Sequence, residues 1–248
     1  MEDLWKAERK ITGFIRRKVK EAGAKGIVVG VSGGVDSAAT IALCSKAIGK
    51  KRVLAIIMPE SETITNKILT DARLIAGKFA GKTYKIDFSE ILKAYGRIIP
   101  IFDKEKISKG NLKARIRMGI LYYFANRLGY LVAGTGDRSE IMLGYFTKYG
   151  DGGADFLPIA GLWKTEVREL AVYLGIPKSI AYKPSSPGLW KGHSAVQELG
   201  LDYSELDPIL KKLIAGKTAG IQKKLLKKLR RQMKSTEHKR RMPETPNL

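Results

Sequence analysis

The stretch "VSGGVDSAAT", residues 31–40, decides the fold. Ahead of it, "GIVVGVS" (26–32) is a short β-branched run that reads as a buried parallel strand. Behind it, "AATIALCSKAIG" has the apolar spacing of a helix closed by Gly49. The glycines therefore mark a βα turn, which aims unpaired backbone N–H groups and the positive end of the helix dipole at one point. Glycine there lets an anion come close to the backbone, and a phosphate is the implied guest. Two common phosphate loops are excluded. A Walker loop needs a lysine that this stretch lacks, and the dinucleotide fingerprint G-x-G-x-x-G fails on spacing. The plain reading, a glycine-rich turn capped by serine or aspartate, leaves the combination of strand, hydroxyls and acid unexplained.

Outward from the loop, strands alternate with helices. "RVLAIIMP" (52–59) reads as a second buried strand, "TNKILTDARLIAGKFAG" as a helix closed by glycine, and "TYKIDF" (83–88) as a third strand. A long helix through "NLKARIRMGILYYFANRLG" leads to a fourth strand, "YLVAGTG" (130–136). The N-terminal segment places Leu4, Trp5, Ile11, Phe14, Ile15 and Val19 at helical spacing, as a helix covering the sheet would. This is an α/β pattern and predicts a doubly wound parallel sheet flanked by helices, with ligands at the carboxyl ends of the strands near Ser32, Met58 to Glu60 and Thr135.

"GYFTKYGDGGADFLPIAG" then reads as a long ordered loop of the functional kind. "KTEVRELAVYLG" resumes a helix that Pro177 ends, and a second loop, "YKPSSPGLWKGH", follows. From about residue 202 the tail is helical and basic, with Ile221, Leu225, Leu226, Leu229 and Met233 as an apolar stripe beside lysines. Neither internal repeats nor a linker divide residues 1–248, so one domain is expected.

Composition narrows the class. The lone Cys44 excludes a disulfide framework and any multi-cysteine zinc site, and the two histidines form no H-E-x-x-H pair. With no apolar run long enough for a membrane and no signal-peptide pattern, a cytoplasmic protein is expected. An excess of 46 Lys+Arg over 24 Asp+Glu, net +22, favours polyanionic partners or substrates. Two alternatives draw on that charge, an enzyme that activates a tRNA base with ATP and a non-catalytic RNA-binding module. Thiolating versions of the first need more cysteines than Cys44 alone, and the second leaves the glycine loop and its acids unexplained, so nucleic acid is disfavoured as the partner.

The pattern S-G-G-x-D-S after a strand resembles the pyrophosphate loop of the N-type ATP pyrophosphatases. "GTGDRSEIMLGYFTKYGDGGADFLPIAGLWKTEVRELA" (134–171) resembles ammonia-dependent NAD synthetases over nearly its whole length, and "NLKARIRM", "PGLW", "ELGLDYSELD" and "EHKR" extend the likeness. The resemblance implies an adenine nucleotide alpha hydrolase-like fold and a ligase that forms a C–N bond. Its substrates are deamido-NAD, ATP and ammonia, with Mg2+ as cofactor. The nicotinate carboxylate attacks the α-phosphorus of ATP, pyrophosphate leaves, and ammonia then displaces AMP.

Carried over position by position, the resemblance implies ATP binding by Gly30, Val31, Ser32, Gly33, Gly34, Val35, Asp36 and Ser37, with Thr135, Lys164 and Ser186. Asp36 and Glu140 match magnesium ligands at strand ends that can converge. Arg115, Lys148, Asp155, His238 and Lys239 match deamido-NAD positions, and Asp151 matches an acid near that substrate. Asp36, Glu140, Asp151 and Lys164 are thus the catalytic candidates. The family also implies a homodimer. One segment departs from its pattern: His193 stands for a usual glutamine, and Ala195 and Val196 stand where acids are usual. No amidase nucleophile is present, so free ammonia or a separate subunit is the expected nitrogen source.

Overall fold

The computed structural model describes residues 2–100 and 105–246. Four strands, β1 (Gly26–Gly30), β2 (Val53–Ile57), β3 (Lys82–Lys85) and β4 (Tyr130–Ala133), form one parallel sheet in the order β3-β2-β1-β4. The register runs from Ile27↔Val53 to Gly30↔Ile56 between β1 and β2, and from Gly26↔Tyr130 to Val29↔Ala133 between β1 and β4. Winding therefore reverses beside β1. The crevice at such a switch point is where open α/β sheets bind ligands, and the glycine loop sits at its mouth.

The helices are α1 (Glu2–Glu21), α2 (Val35–Ile48), α3 (Asn66–Phe79), α4 (Ser89–Ile98), α5 (Lys106–Leu128), α6 (Arg138–Leu143), α7 (Lys164–Tyr173), α8 (Lys178–Ala181), α9 (Ala195–Leu199), α10 (Tyr203–Ile214) and α11 (Lys223–Ser235). On one face of the sheet Ile27 and Val29 pack with Ile15, Ile41, Ile75 and Val167 from α1, α2, α3 and α7. On the other, Val28, Leu54 and Val132 meet Met118, Leu121 and Ala125 of α5. Central strands buried on both sides need continuous apolar side chains, which accounts for "GIVVG" and "VLAII". Each such side chain fully removed from water contributes roughly 1.5–3 kcal/mol. Leu143, Trp163, Leu199, Tyr203, Leu206 and Leu229 form a third cluster that docks α9, α10 and α11 beside α6 and α7.

Several expected boundaries are corrected. β3 is short, mostly exposed and at the sheet edge, its backbone pairing running on beyond it from Ile86 N–H to Ile57 O at 2.8 Å and from Phe88 N–H to Pro59 O at 3.4 Å. Asp87 then accepts Ser89 N–H at 2.9 Å and starts α4, a helix the sequence reading left out. β4 ends at Ala133, short of Gly136, because Asp137 caps α6. The segment after Gly153 continues the sheet instead: Asp155 N–H donates to Val132 O at 3.0 Å, and Gly134 N–H to Phe156 O at 2.9 Å. Helix α3 is capped at Ala80 rather than by glycine. Trp5 is exposed beneath the Arg9 guanidinium instead of covering the sheet. Ile221 precedes α11, whose packed stripe is Leu225, Leu229 and Met233.

Candidate active site

The turn between β1 and α2 is closed by its own hydroxyls. Ser37 Oγ accepts Ser32 N–H at 3.2 Å, donates to Gly34 O at 3.1 Å and lies 3.1 Å from Ser32 Oγ. No side chain caps α2, so its first-turn donors are left for a guest. Gly33 has φ +77°, and a β-carbon there would meet Ile68 O at 2.8 Å and Ala72 N at 3.2 Å. The close approach that demands glycine at this position is that of helix α3, not of an anion. Gly34 differs: a β-carbon there would meet only Ser32 Oγ, at 3.4 Å.

Three acids downstream of the sheet ends converge on one buried cation. Lys164, fully buried at the first position of α7, places Nζ 2.7 Å from Asp36 Oδ2, 2.9 Å from Asp137 Oδ2 and 2.8 Å from Glu140 Oε1. The Tyr203 ring lies 5.1 Å from the ammonium. Asp137 and Glu140 form the capping box of α6, Glu140 N–H donating to Asp137 Oδ1 at 2.9 Å and Asp137 N–H to Glu140 Oε2 at 3.3 Å. That local pattern fixes both acids toward Lys164. Burial raises Asp137 to about 6, with the Lys164 charge opposing it. Burial likewise holds Glu140 well above the usual carboxylate range. For Lys164 burial works the other way, but Asp36, Glu140 and Asp137 outweigh it and hold the ammonium well above the ordinary lysine value.

Asp36, Glu140 and Tyr203 border a cleft of about 720 Å³, with Lys164 and Asp137 buried behind them. It is lined by the whole glycine loop from Gly30 to Ser37, and by Thr135, Glu140, Asp151, Ser186 and Lys239 among the expected residues. Asp151 accepts Thr147 N–H at 2.9 Å, yet desolvation by the surrounding chain still raises its carboxyl above the ordinary value. Ser186 Oγ donates to His193 O at 2.5 Å. Lys239 Nζ donates to Gly144 O at 2.9 Å and Phe146 O at 2.8 Å. His193 stacks on Trp190 and holds Nε2 2.9 Å from Glu198 Oε2, so this departing position packs the cleft wall.

Five expected residues stand outside that lining: Lys164, buried behind Asp36 and Glu140, and Arg115, Lys148, Asp155 and His238. Arg115 is exposed, its Nε donating to Lys148 O at 3.3 Å, and it lines a separate apolar groove with Ile91, Tyr95, Ile116 and Tyr123. Lys148 lies above the Tyr149 ring. Asp155 accepts Tyr122 O–H at 3.1 Å and Val132 N–H at 2.6 Å. His238 is exposed in the short turn Glu237–Lys239.

Other residues in and around the cleft were not singled out from sequence. Lys183 Nζ sits 2.9 Å from Asp71 Oδ2 and 3.5 Å from Gly33 O, bringing a cation to the glycine loop. Arg117, two residues past Arg115, reaches the cleft across the Phe88 ring. Asp137 was within reach of sequence reasoning, because aspartate three residues before glutamate is a helix-start signature.

A model of the NAD synthase family matches residues 7–243. The chain belongs to the NAD synthase family. An NH3-dependent NAD+ synthetase from Staphylothermus marinus is 46% identical over 252 residues, covering 98% of this chain and 91% of that relative. Among solved structures, an NMN synthetase from Francisella tularensis superimposes with a TM-score of 0.90 at 33% identity, covering 99% of both chains. An NH3-dependent NAD synthetase from Campylobacter jejuni, in complex with nitrate, gives 0.83 at 32% identity, covering 98% of this chain and 99% of that one. The parallel sheet and flanking helices are thus the adenine nucleotide alpha hydrolase-like arrangement of the NAD synthases. No helix among the described residues is long and apolar enough to cross a membrane.

Proposed function

We propose that this chain is an NH3-dependent NAD+ synthetase, a ligase that adenylates the nicotinate carboxylate of deamido-NAD with ATP and amidates it with ammonia. The observation that carries the reading is the Lys164 cluster, three carboxylates on one ammonium, opening onto a glycine loop at the switch point of the sheet. Two anionic substrates must meet in the first step, and the site has to offset their repulsion.

The donor set fits a magnesium ion. Asp36 Oδ1 is buried without a partner, and the three acids outnumber their one cation. A magnesium ion takes one or two carboxylates and completes its shell with phosphate oxygens and water. Asp36 and Glu140 would hold it, and it supplies charge neutralisation between the phosphates and the incoming carboxylate.

This chain's own groups do the rest. The N–H groups of residues 30–37 and the hydroxyls of Ser32 and Ser37 bind the pyrophosphate portion of ATP, and Lys183 adds a positive charge beside it. Thr135 and Ser186 contact the nucleotide. Lys164 holds Asp36 and Glu140 in register and stabilises charge that builds on the α-phosphoryl group. Asp151, whose proton affinity is raised, accepts a proton as ammonium becomes the ammonia that attacks the acyl-adenylate.

Arg115, Lys148, Asp155 and His238 hold deamido-NAD in this reading, with Lys239 on the cleft side. Arg115 opens onto the exposed groove of about 540 Å³ that carries Ile91, Tyr95 and Tyr123. We infer a homodimer across that face, with the dinucleotide site beside the subunit boundary. Tyr123→Glu would then shift the protein to monomer in sedimentation. The chain acts as one catalytic domain in the cytoplasm, where ATP is supplied and the buried thiol of Cys44 stays reduced.

The likeness to the Francisella tularensis NMN synthetase favours one second reading, in which the acceptor is the corresponding mononucleotide. The test is to incubate the protein with ATP, magnesium, ammonium and either deamido-NAD or nicotinate mononucleotide. NAD+, AMP and pyrophosphate in equal amounts are expected with deamido-NAD. Faster amidation of the mononucleotide would favour the second reading, and equal pyrophosphate release without either acceptor would overturn both.

A further inference from the structure

Asp207, on α10, is 1% exposed and sits behind the Lys164 cluster without joining it. Its Oδ1 accepts Ser139 O–H at 2.6 Å, and its Oδ2 accepts both Thr165 N–H at 2.9 Å and Thr165 O–H at 2.8 Å. Ser139 Oγ in turn accepts Lys164 N–H at 3.0 Å. Trp163, at the N-cap of α7, makes no side-chain cap hydrogen bond. The first two N–H groups of α7 are therefore satisfied from outside the helix, one by Ser139 and one by Asp207.

The consequence is geometric. Ser139 precedes Glu140, and Thr165 follows Lys164. One carboxylate thus clamps together the two backbone segments that carry the ion pair at 2.8 Å between Lys164 and Glu140. Three acids around one ammonium repel one another, so the cluster needs a brace anchored elsewhere, and Asp207 is rooted in the Leu143 to Leu229 core through α10. We propose that Asp207 is a positioning residue for adenylation, acting through Ser139 and Thr165 to fix Lys164 and Glu140 relative to the glycine loop. The proposal rests on the reading of the Lys164 cluster as the adenylating centre.

The test compares Asp207→Asn with Leu210→Ala, a substitution in the same helix that weakens the core without touching the network. Asparagine keeps one acceptor oxygen and turns a donor toward Thr165 N–H. At a temperature where both variants are folded by circular dichroism, Asp207→Asn should lower kcat for pyrophosphate release about 10- to 100-fold, as loss of an outer hydrogen-bond partner does. KM for ATP should change little, because the glycine loop is untouched. In the ligand-free protein, amide hydrogen exchange in residues 138–143 and 164–168 should speed up in Asp207→Asn and not in Leu210→Ala. Should Asp207→Asn fail to fold, Thr165→Val, which removes one of the three bonds, should show a smaller drop in kcat with the same exchange signature. Wild-type kcat in the folded Asp207 variant, or equal loss in Leu210→Ala, would overturn the proposal. A wild-type protein that released no pyrophosphate would instead defeat the reading of the centre itself.

Discussion

Lys164 Nζ stands 2.7 Å from Asp36 Oδ2, joining the first turn of α7 to the first turn of α2 across the mouth of the sheet. Lys164→Met strips the only cation from three enclosed acids, and breaking a buried pair in this way costs about 3–5 kcal/mol. The variant should therefore be less stable at neutral pH as well as inactive. The sign with pH follows from the raised lysine: its contribution is complete below the ordinary value of 10.5 and is lost only as pH climbs through the higher folded-state value. In the variant the stranded carboxyls lose the ammonium that lowers them and take up protons at higher pH than in the parent, so the deficit should shrink as pH falls toward about 6, where Asp137 is protonated in the intact cluster as well. Denaturant titrations of both proteins across pH measure this, and a deficit that widened toward acid would contradict it.

Asp36→Asn and Glu140→Gln should each abolish pyrophosphate release while leaving thermal stability equal to or slightly above that of the parent. Each removes one of three acids that share a single ammonium, so repulsion is relieved rather than created. Near-normal turnover in either variant would overturn its proposed role as a magnesium ligand.

The two loop glycines should behave differently. Gly33→Ala meets Ile68 O at 2.8 Å in a left-handed backbone at φ +77°. The left-handed conformation alone costs about 1–2 kcal/mol for an L-residue, so the melting temperature should drop. Gly34→Ala has room, with Ser32 Oγ at 3.4 Å as its nearest neighbour, and should keep its stability while KM for ATP rises. Melting curves and ATP kinetics on the pair separate the two causes.

Lys183→Met should raise KM for ATP severalfold and leave the fold nearly untouched. Its pair with Asp71 at 2.9 Å is largely buried, but Lys67 also stands 3.5 Å from that carboxylate and keeps it paired when Lys183 is removed. Unchanged KM for ATP in this variant would mean that the cation serves only to tie the loop at residue 183 to α3.

What could be read without coordinates follows from how each signal is encoded. β1 and β2 were legible because burial on both faces demands unbroken apolar runs, and α2 because Gly49 closes it at φ +84°. β3 and α4 were blurred because an exposed edge strand has no such demand, and because Asp87, whose carboxylate accepts the first N–H of α4, lay within the expected strand. The acids and the lysine of the centre were legible as members of a motif, but their convergence was not, since Asp36, Glu140 and Lys164 come from three separate turns. Arg115 and Arg117 illustrate the same limit. Two residues apart on a helix do not share a face, so one opens onto the outer groove and the other onto the cleft. Asp207 closes the motif "ELGLDYSELD", but its role could not be read there, because its partners are 42 and 68 residues away in sequence.

The short edge strand has a consequence for life in a crowded solution. Its residues, Lys-Thr-Tyr-Lys, leave Lys82 and Lys85 exposed at the free margin of a sheet whose interior is valine and isoleucine. A margin of like charges discourages a second copy from zipping its own strand alongside. The far margin, at β4, is already occupied by the backbone of Asp155 and Phe156. The sheet thus has an occupied seam on one side and a charged fence on the other, which guards against self-aggregation.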